Sequence, residues 1–114
     1  MEAKVIAIDF DGTITEDSPY PITGKLRPEA IEVIKKLQTR YICCLWTART
    51  AKYTQEAVQL LVDAGIRFEY VNRSPYDRPD GQPRKIIADY YIDDRIPGYT
   101  VDWRQIEKIL LGDN

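Results

Sequence analysis

The stretch Val5-Ile6-Ala7-Ile8-Asp9-Phe10-Asp11-Gly12-Thr13 decides the fold. Its apolar run reads as a short buried strand, and two carboxylates stand where that strand runs out at its carboxyl edge. A strand alternates faces with period two, so Asp9 and Asp11 would start on the same side, while Gly12 marks a turn. Two negative charges so close together raise a pKa or recruit a cation. Either outcome marks a working site more often than scaffolding.

Working outward, three further apolar runs read as strands, giving 4–9, 41–46, 67–71 and 90–93. A fifth, very short strand is expected around 99–101. Helical spacing fills the intervals. Ala30, Val33, Ile34 and Leu37 share one helix face after Pro28, which a first turn tolerates. Ala57, Val58, Leu61 and Ala64 repeat the pattern before Gly65, a left-handed stop. A last helix follows Asp102, whose carboxylate can cap it with Gln105 three residues on, while Trp103, Ile106 and Leu110 face the core. Strands alternating with helices predict an α/β fold: a three-layer, doubly wound, Rossmann-like parallel sheet covered on both faces. At 114 residues, the chain holds one domain, 1–114.

Charge excludes some functions. With 16 basic against 18 acidic residues, there is no electrostatic footprint for nucleic acid and no polybasic membrane anchor. No long apolar segment reads as a signal peptide or membrane span, so the expected location is cytoplasmic. Cys43 and Cys44 are adjacent in a strand and point to opposite faces, which predicts packing thiols. The chain has no histidine, the commonest general base. Acid-base work must fall to carboxylates, lysine or tyrosine.

In a parallel sheet, ligands bind beyond the carboxyl ends of the strands, near the point where strand order reverses. Those ends carry Asp9 and Asp11, Thr47 and Arg49, Asn72 and Arg73, and Asp93 and Asp94. Two loops, 13–25 and the Pro- and Arg-rich 72–84, are placed to border a pocket. Asp9 and Asp11 with Asp93 and Asp94 form a hard oxygen cluster that suits Mg²⁺ better than zinc, and Mg²⁺ implies phosphate. Thr47, the loop amides around Gly12 and Thr13, and Lys85 are placed to supply donors and a positive charge.

Asp9-Phe10-Asp11-Gly12-Thr13, Leu45-Trp46-Thr47, Lys85 and Asp93-Asp94, in this order and strand context, resemble the haloacid dehalogenase (HAD) superfamily of aspartate-nucleophile phosphatases. The resemblance implies a Mg²⁺-dependent phosphomonoester hydrolase. In it, Asp9 becomes an aspartyl phosphate and Asp11 is the general acid and then base. It further implies that Mg²⁺ is held by Asp9, the backbone carbonyl of Asp11, and Asp93, with Asp94 helping directly or through a water. Thr47 would hydrogen-bond a phosphoryl oxygen, and Lys85 would pair with the nucleophile and the transferring group.

Family members often insert a cap domain, but residues 13–46 and 48–84 are already filled by the elements above, so a capless member is expected. Recognition of the phosphorylated substrate, small molecule or macromolecule, then falls to the rim loops or to a neighbouring subunit of a homo-oligomer. Alternatively, a large substrate shields itself. Gly12, Thr13, Arg49 and Arg73 are the candidate substrate contacts, with Arg78 and Arg84 behind them. Two alternatives stand beside the phosphatase: a phospho-accepting domain of the response-regulator type, and a non-catalytic interaction module on the same fold.

Overall fold

The computed structural model describes residues 3–81 and 83–112. The opening stretch forms β1 (Val5–Asp9), followed in chain order by α1 (Pro28–Leu37), β2 (Ile42–Trp46), α2 (Ala51–Asp63), β3 (Tyr70–Val71), β4 (Tyr90–Ile92) and α3 (Trp103–Leu111). All strand pairs are parallel, and the sheet order is β3-β2-β1-β4. The chain therefore winds outward from β1 to β3 and then returns to add β4 on the other edge of β1. That reversal puts the switch point between β1 and β4, where the Asp9 and Asp93 ends of the strands lie.

The alternation of β1 serves two different layers. Ile6 and Ile8, beside Cys43 and Leu45 of β2, face one core with Ala30, Val33, Ile34 and Leu37 of α1, Ala57 and Leu61 of α2, and Trp103 and Ile106 of α3. Val5 and Ala7, beside Cys44, face a second cluster that is closed by Ile86 and edged by Trp46, Tyr70 and Ala88. The cover on this face thus includes irregular chain between β3 and β4. Burying each isoleucine of β1 stabilises the sheet by about 1.5–3 kcal/mol. The two free cysteines divide between the clusters, and burial pushes their thiols up to about 12 and about 11.

Local signals set the helix ends. Pro28 begins α1, with Glu29 in the first turn and Lys35 and Lys36 in the last, each sign suiting the helix dipole. At the end of α2, Gly65 takes φ 91°, its N–H donates to Val62, and the N–H of Ile66 donates to Leu61. These paired bonds form a Schellman closure that requires a left-handed residue. For α3, the Asp102 carboxylate accepts from the Gln105 N–H at 3.1 Å. Asp102→Ala should cost about 1 kcal/mol and lower Tm by about 4–8 °C. Thermal unfolding followed by circular dichroism checks this, and a shift below about 1 °C would show that the cap carries little.

Two expectations need correction. Residues 99–101 form no strand, and the third strand is confined to Tyr70–Val71. Strand β3 is an edge strand, paired with β2 only through Tyr70 and Val71. The apolar character of 67–69 instead reflects Phe68, which is buried against the helices.

Candidate functional site

The chain leaves β1 through a tight turn. The Phe10 carbonyl accepts from the N–H groups of Thr13, Ile14 and Thr15 at 3.2, 2.9 and 3.2 Å, and Gly12 takes φ 80°. The turn is pinned from the core: Trp103 Nε1 donates to the Thr13 carbonyl at 2.9 Å, and Arg27 Nε donates to that of Thr15 at 3.0 Å. Rigid support of this kind holds side chains to a productive geometry. The Thr13 hydroxyl is aimed between Asp9 Oδ2 at 2.9 Å and Asp94 Oδ1 at 3.2 Å.

Asp9, Asp93 and Asp94 each offer a carboxylate oxygen, and these oxygens lie within 4.8 Å of one another. Among the described residues, none of the three forms an ion pair with lysine or arginine. Burial first, and then Asp93 and Asp94, push Asp9 up to about 7, against a lowering by its Thr13 hydrogen bond. The crowding expected between Asp9 and Asp11 is found instead between Asp9 and the two aspartates at the end of β4. Asp11 lies outside this carboxylate group.

Asp11 is instead held by Arg49. The guanidinium donates Nε to Oδ2 at 2.8 Å and Nη2 to Oδ1 at 2.7 Å, a two-pronged grip. Asp11 keeps the Arg49 guanidinium firmly protonated. Arg49 lines the cleft, but its side chain is fully buried and its charge is matched by Asp11. The sequence offered no sign of the pairing, since the two residues are 38 positions apart.

A cleft of about 680 Å³ opens over Asp9, Asp11 and Asp93. Its walls include Trp46, Thr47 and Ala48 after β2, and Ser18, Pro19 and Tyr20 from the 13–25 loop, which borders the pocket as expected. Thr47 is fixed by its N–H on Asn72 Oδ1 at 2.8 Å and by its Oγ1, which accepts from the Arg49 N–H at 3.1 Å. Accepting that bond leaves the hydroxyl proton free to donate. Gly12 and Thr13, expected as substrate contacts, are not in the lining: Gly12 forms the turn, and the fully buried Thr13 links Asp9 and Asp94.

Two expected cations do not line this cleft. Lys85 is exposed, with its ammonium 4.4 Å from the centre of the Tyr91 ring, and Arg73 lies over Tyr70 at 5.2 Å. The 72–84 loop is likewise absent from the described lining. Arg95 is the cation that does border the cleft, and its backbone N–H donates to Asp93 Oδ1 at 3.0 Å. Its position directly after Asp93-Asp94 was the available signal.

The donor set fits a hard divalent cation. Three clustered carboxylates, one of them pushed up to about 7 chiefly by burial and then by its two neighbours, could hold Mg²⁺. Among the described residues, no helix is long and apolar enough to cross a membrane.

No protein-family model and no curated protein matches the chain. A solved structure, that of a conserved protein from Bacteroides thetaiotaomicron, matches with a TM-score of 0.86 and 35% identity, covering 99% of this chain and 93% of that one. The chain belongs to the family of this conserved Bacteroides thetaiotaomicron protein.

Proposed function

We propose that the protein is a capless phosphomonoester hydrolase of the HAD type, dependent on Mg²⁺ and acting through an aspartyl phosphate on Asp9. One observation carries the reading: at the β1/β4 switch point, Asp9, Asp93 and Asp94 converge with no ion pair to lysine or arginine among the described residues, beside a separately held Asp11 and under an open cleft. The Asp9 and Asp93 carboxylates would hold Mg²⁺, with the Asp11 backbone carbonyl and Asp94 completing the set. The ion supplies neutralisation of phosphoryl charge when bound.

A carboxylate oxygen of Asp9 attacks phosphorus, and the bond from phosphorus to the ester oxygen breaks. Asp11 would protonate the departing alcohol after taking up a proton and releasing one oxygen from Arg49. It then takes a proton from the water that attacks the aspartyl phosphate, which regenerates Asp9. Thr47 Oγ1, with its proton free, donates to a phosphoryl oxygen. Arg95 offers the cleft a positive charge, the role first assigned to Lys85.

A receiver-type domain would carry its phosphorylated aspartate after β3, where this chain has Asn72 bonded to Thr47. With p-nitrophenyl phosphate and Mg²⁺, continuous phenol release that EDTA abolishes is expected, together with a short-lived acid-stable phosphoprotein. A phosphoprotein persisting for hours after acetyl phosphate treatment, without turnover, would favour the signalling reading. Absence of both turnover and Mg²⁺ binding would favour the interaction module.

A further inference from the structure

We propose that the cleft selects small phosphate monoesters whose alcohol part carries a planar aromatic ring, with Tyr20 as the stacking surface; this rests on the phosphohydrolase reading above. The cleft measures about 680 Å³, the size of a whole small-molecule site rather than of a phosphoryl group and its cation. Its chemistry is divided. The carboxylates, Thr47 and Arg95 serve the phosphoryl end, whereas Pro19, Tyr20, Trp46 and Ala48 form an apolar wall with no part in the chemical step.

Tyr20 is 55% exposed, yet it is held in place. Its ring meets that of Tyr53 at 5.5 Å and 70°, its hydroxyl lies 3.5 Å from Thr50 Oγ1, and the Arg49 guanidinium sits 5.9 Å from its centre. These partners come from the start of α2 and the residues just before it. Neither core cluster includes Tyr20, so its placement is not a by-product of core packing. An exposed ring fixed in advance binds a flat partner without first giving up rotamer freedom. Trp46 comes from the other side: it edges the cluster of Val5, Ala7 and Cys44, whereas α2 contributes Ala57 and Leu61 to the first core. Aromatic surface therefore reaches the cleft from both faces of the sheet. Such surface suits a flat π-face and tolerates differences in its identity. A bare sugar finds less. Past the phosphoryl end, the described lining side chains offer it Ser18 and the Trp46 indole N–H, because the Tyr20 hydroxyl is turned to Thr50.

Two ester pairs isolate the ring while keeping the departing oxygen that of a primary alcohol: a nucleoside 5′-monophosphate against ribose 5-phosphate, and benzyl phosphate against cyclohexylmethyl phosphate. With Mg²⁺, the wild type should favour the ring-bearing member of at least one pair by about tenfold in kcat/KM, chiefly through KM. The pair that shows it tells whether the ring sits beyond a sugar or next to the ester. Tyr20→Ala should bring that ratio to within about twofold of unity. Tyr20→Phe, which keeps the ring, should hold it, and Tyr53→Leu, which removes the ring's support, should give an intermediate ratio. Wild-type ratios near unity in both pairs would overturn the selectivity. A Tyr20→Ala ratio equal to that of the wild type, with all four esters slowed alike, would overturn it too. In both cases Mg²⁺-dependent turnover leaves the hydrolase reading standing. Absence of that turnover on all four esters and on p-nitrophenyl phosphate would instead overturn the hydrolase reading and the selectivity with it.

Discussion

On the proposed phosphohydrolase reading, Asp9→Asn should remove turnover by about 10⁴-fold or more and, in EDTA at pH 8, should make the folded protein more stable than wild type. The first effect follows from deleting the attacking oxygen. The second follows from the charge that the site holds without a metal. Asp9 has its carboxyl raised from 3.8 to about 7, with burial the main cause and Asp93 and Asp94 adding to it. Below about pH 4, both the folded and the unfolded chain keep this proton, and no penalty exists. Between there and about pH 7, the unfolded chain releases the proton while the folded one retains it, so stability falls as pH rises. Above that range the full penalty stands. Each unit corresponds to about 1.4 kcal/mol, and partial exposure reduces the net to about 1–2 kcal/mol. Asn carries no charge, so the variant should melt about 4–10 °C higher at pH 8 and close to wild type at pH 4. Mg²⁺ should raise the wild-type Tm and move the variant much less. Scanning fluorimetry at the two pH values, with EDTA or Mg²⁺, reads all four states. A variant no more stable than wild type at pH 8 would contradict the uncompensated carboxylate cluster.

This result would also explain which parts of the site were legible in the sequence. The strand-end aspartates, Thr47, the parallel sheet and all three helices were readable because each depends on local periodicity, a cap or a turn. Asp102 bonding Gln105 and Gly65 closing α2 are signals complete within six residues. Long, flexible cations were not legible. Arg49, Arg73 and Lys85 were each placed near the rim by chain position, but their heads settle wherever charge or an aromatic face is found: on Asp11, Tyr70 and Tyr91. Arg95 borders the cleft too, and its place directly after Asp93-Asp94 was the only hint of it. The cover of the second sheet face was hidden too. Ile86 closes it from irregular chain, where no repeat of two or 3.6 residues betrays burial.

Gly12→Ala should damage the site from its backbone outward. At φ 80° the residue lies in the left-handed region, where a side chain costs about 1–2 kcal/mol. Strain alone would be tolerable. The added Cβ would also press into the Asp94 carboxylate and come within 2.7 Å of Asp17 Oδ1, so both carboxylates must shift, and Asp94 is the one that accepts from Thr13. Gly98 supplies the control: at φ 77° it carries comparable strain, but a Cβ there meets nothing within 4 Å. Both alanine variants should lose about 1–2 kcal/mol from strain, seen as a fall in Tm of about 4–10 °C. Only Gly12→Ala should lose turnover, roughly 100-fold, because a shift of about 1 Å at a reacting group costs that much. Only Gly12→Ala should also lose the rise in Tm on adding Mg²⁺. If Gly12→Ala matched Gly98→Ala in turnover and in Mg²⁺ response, the position of Asp94 would be irrelevant to the metal. Asp9 and Asp93 alone would then carry the binding.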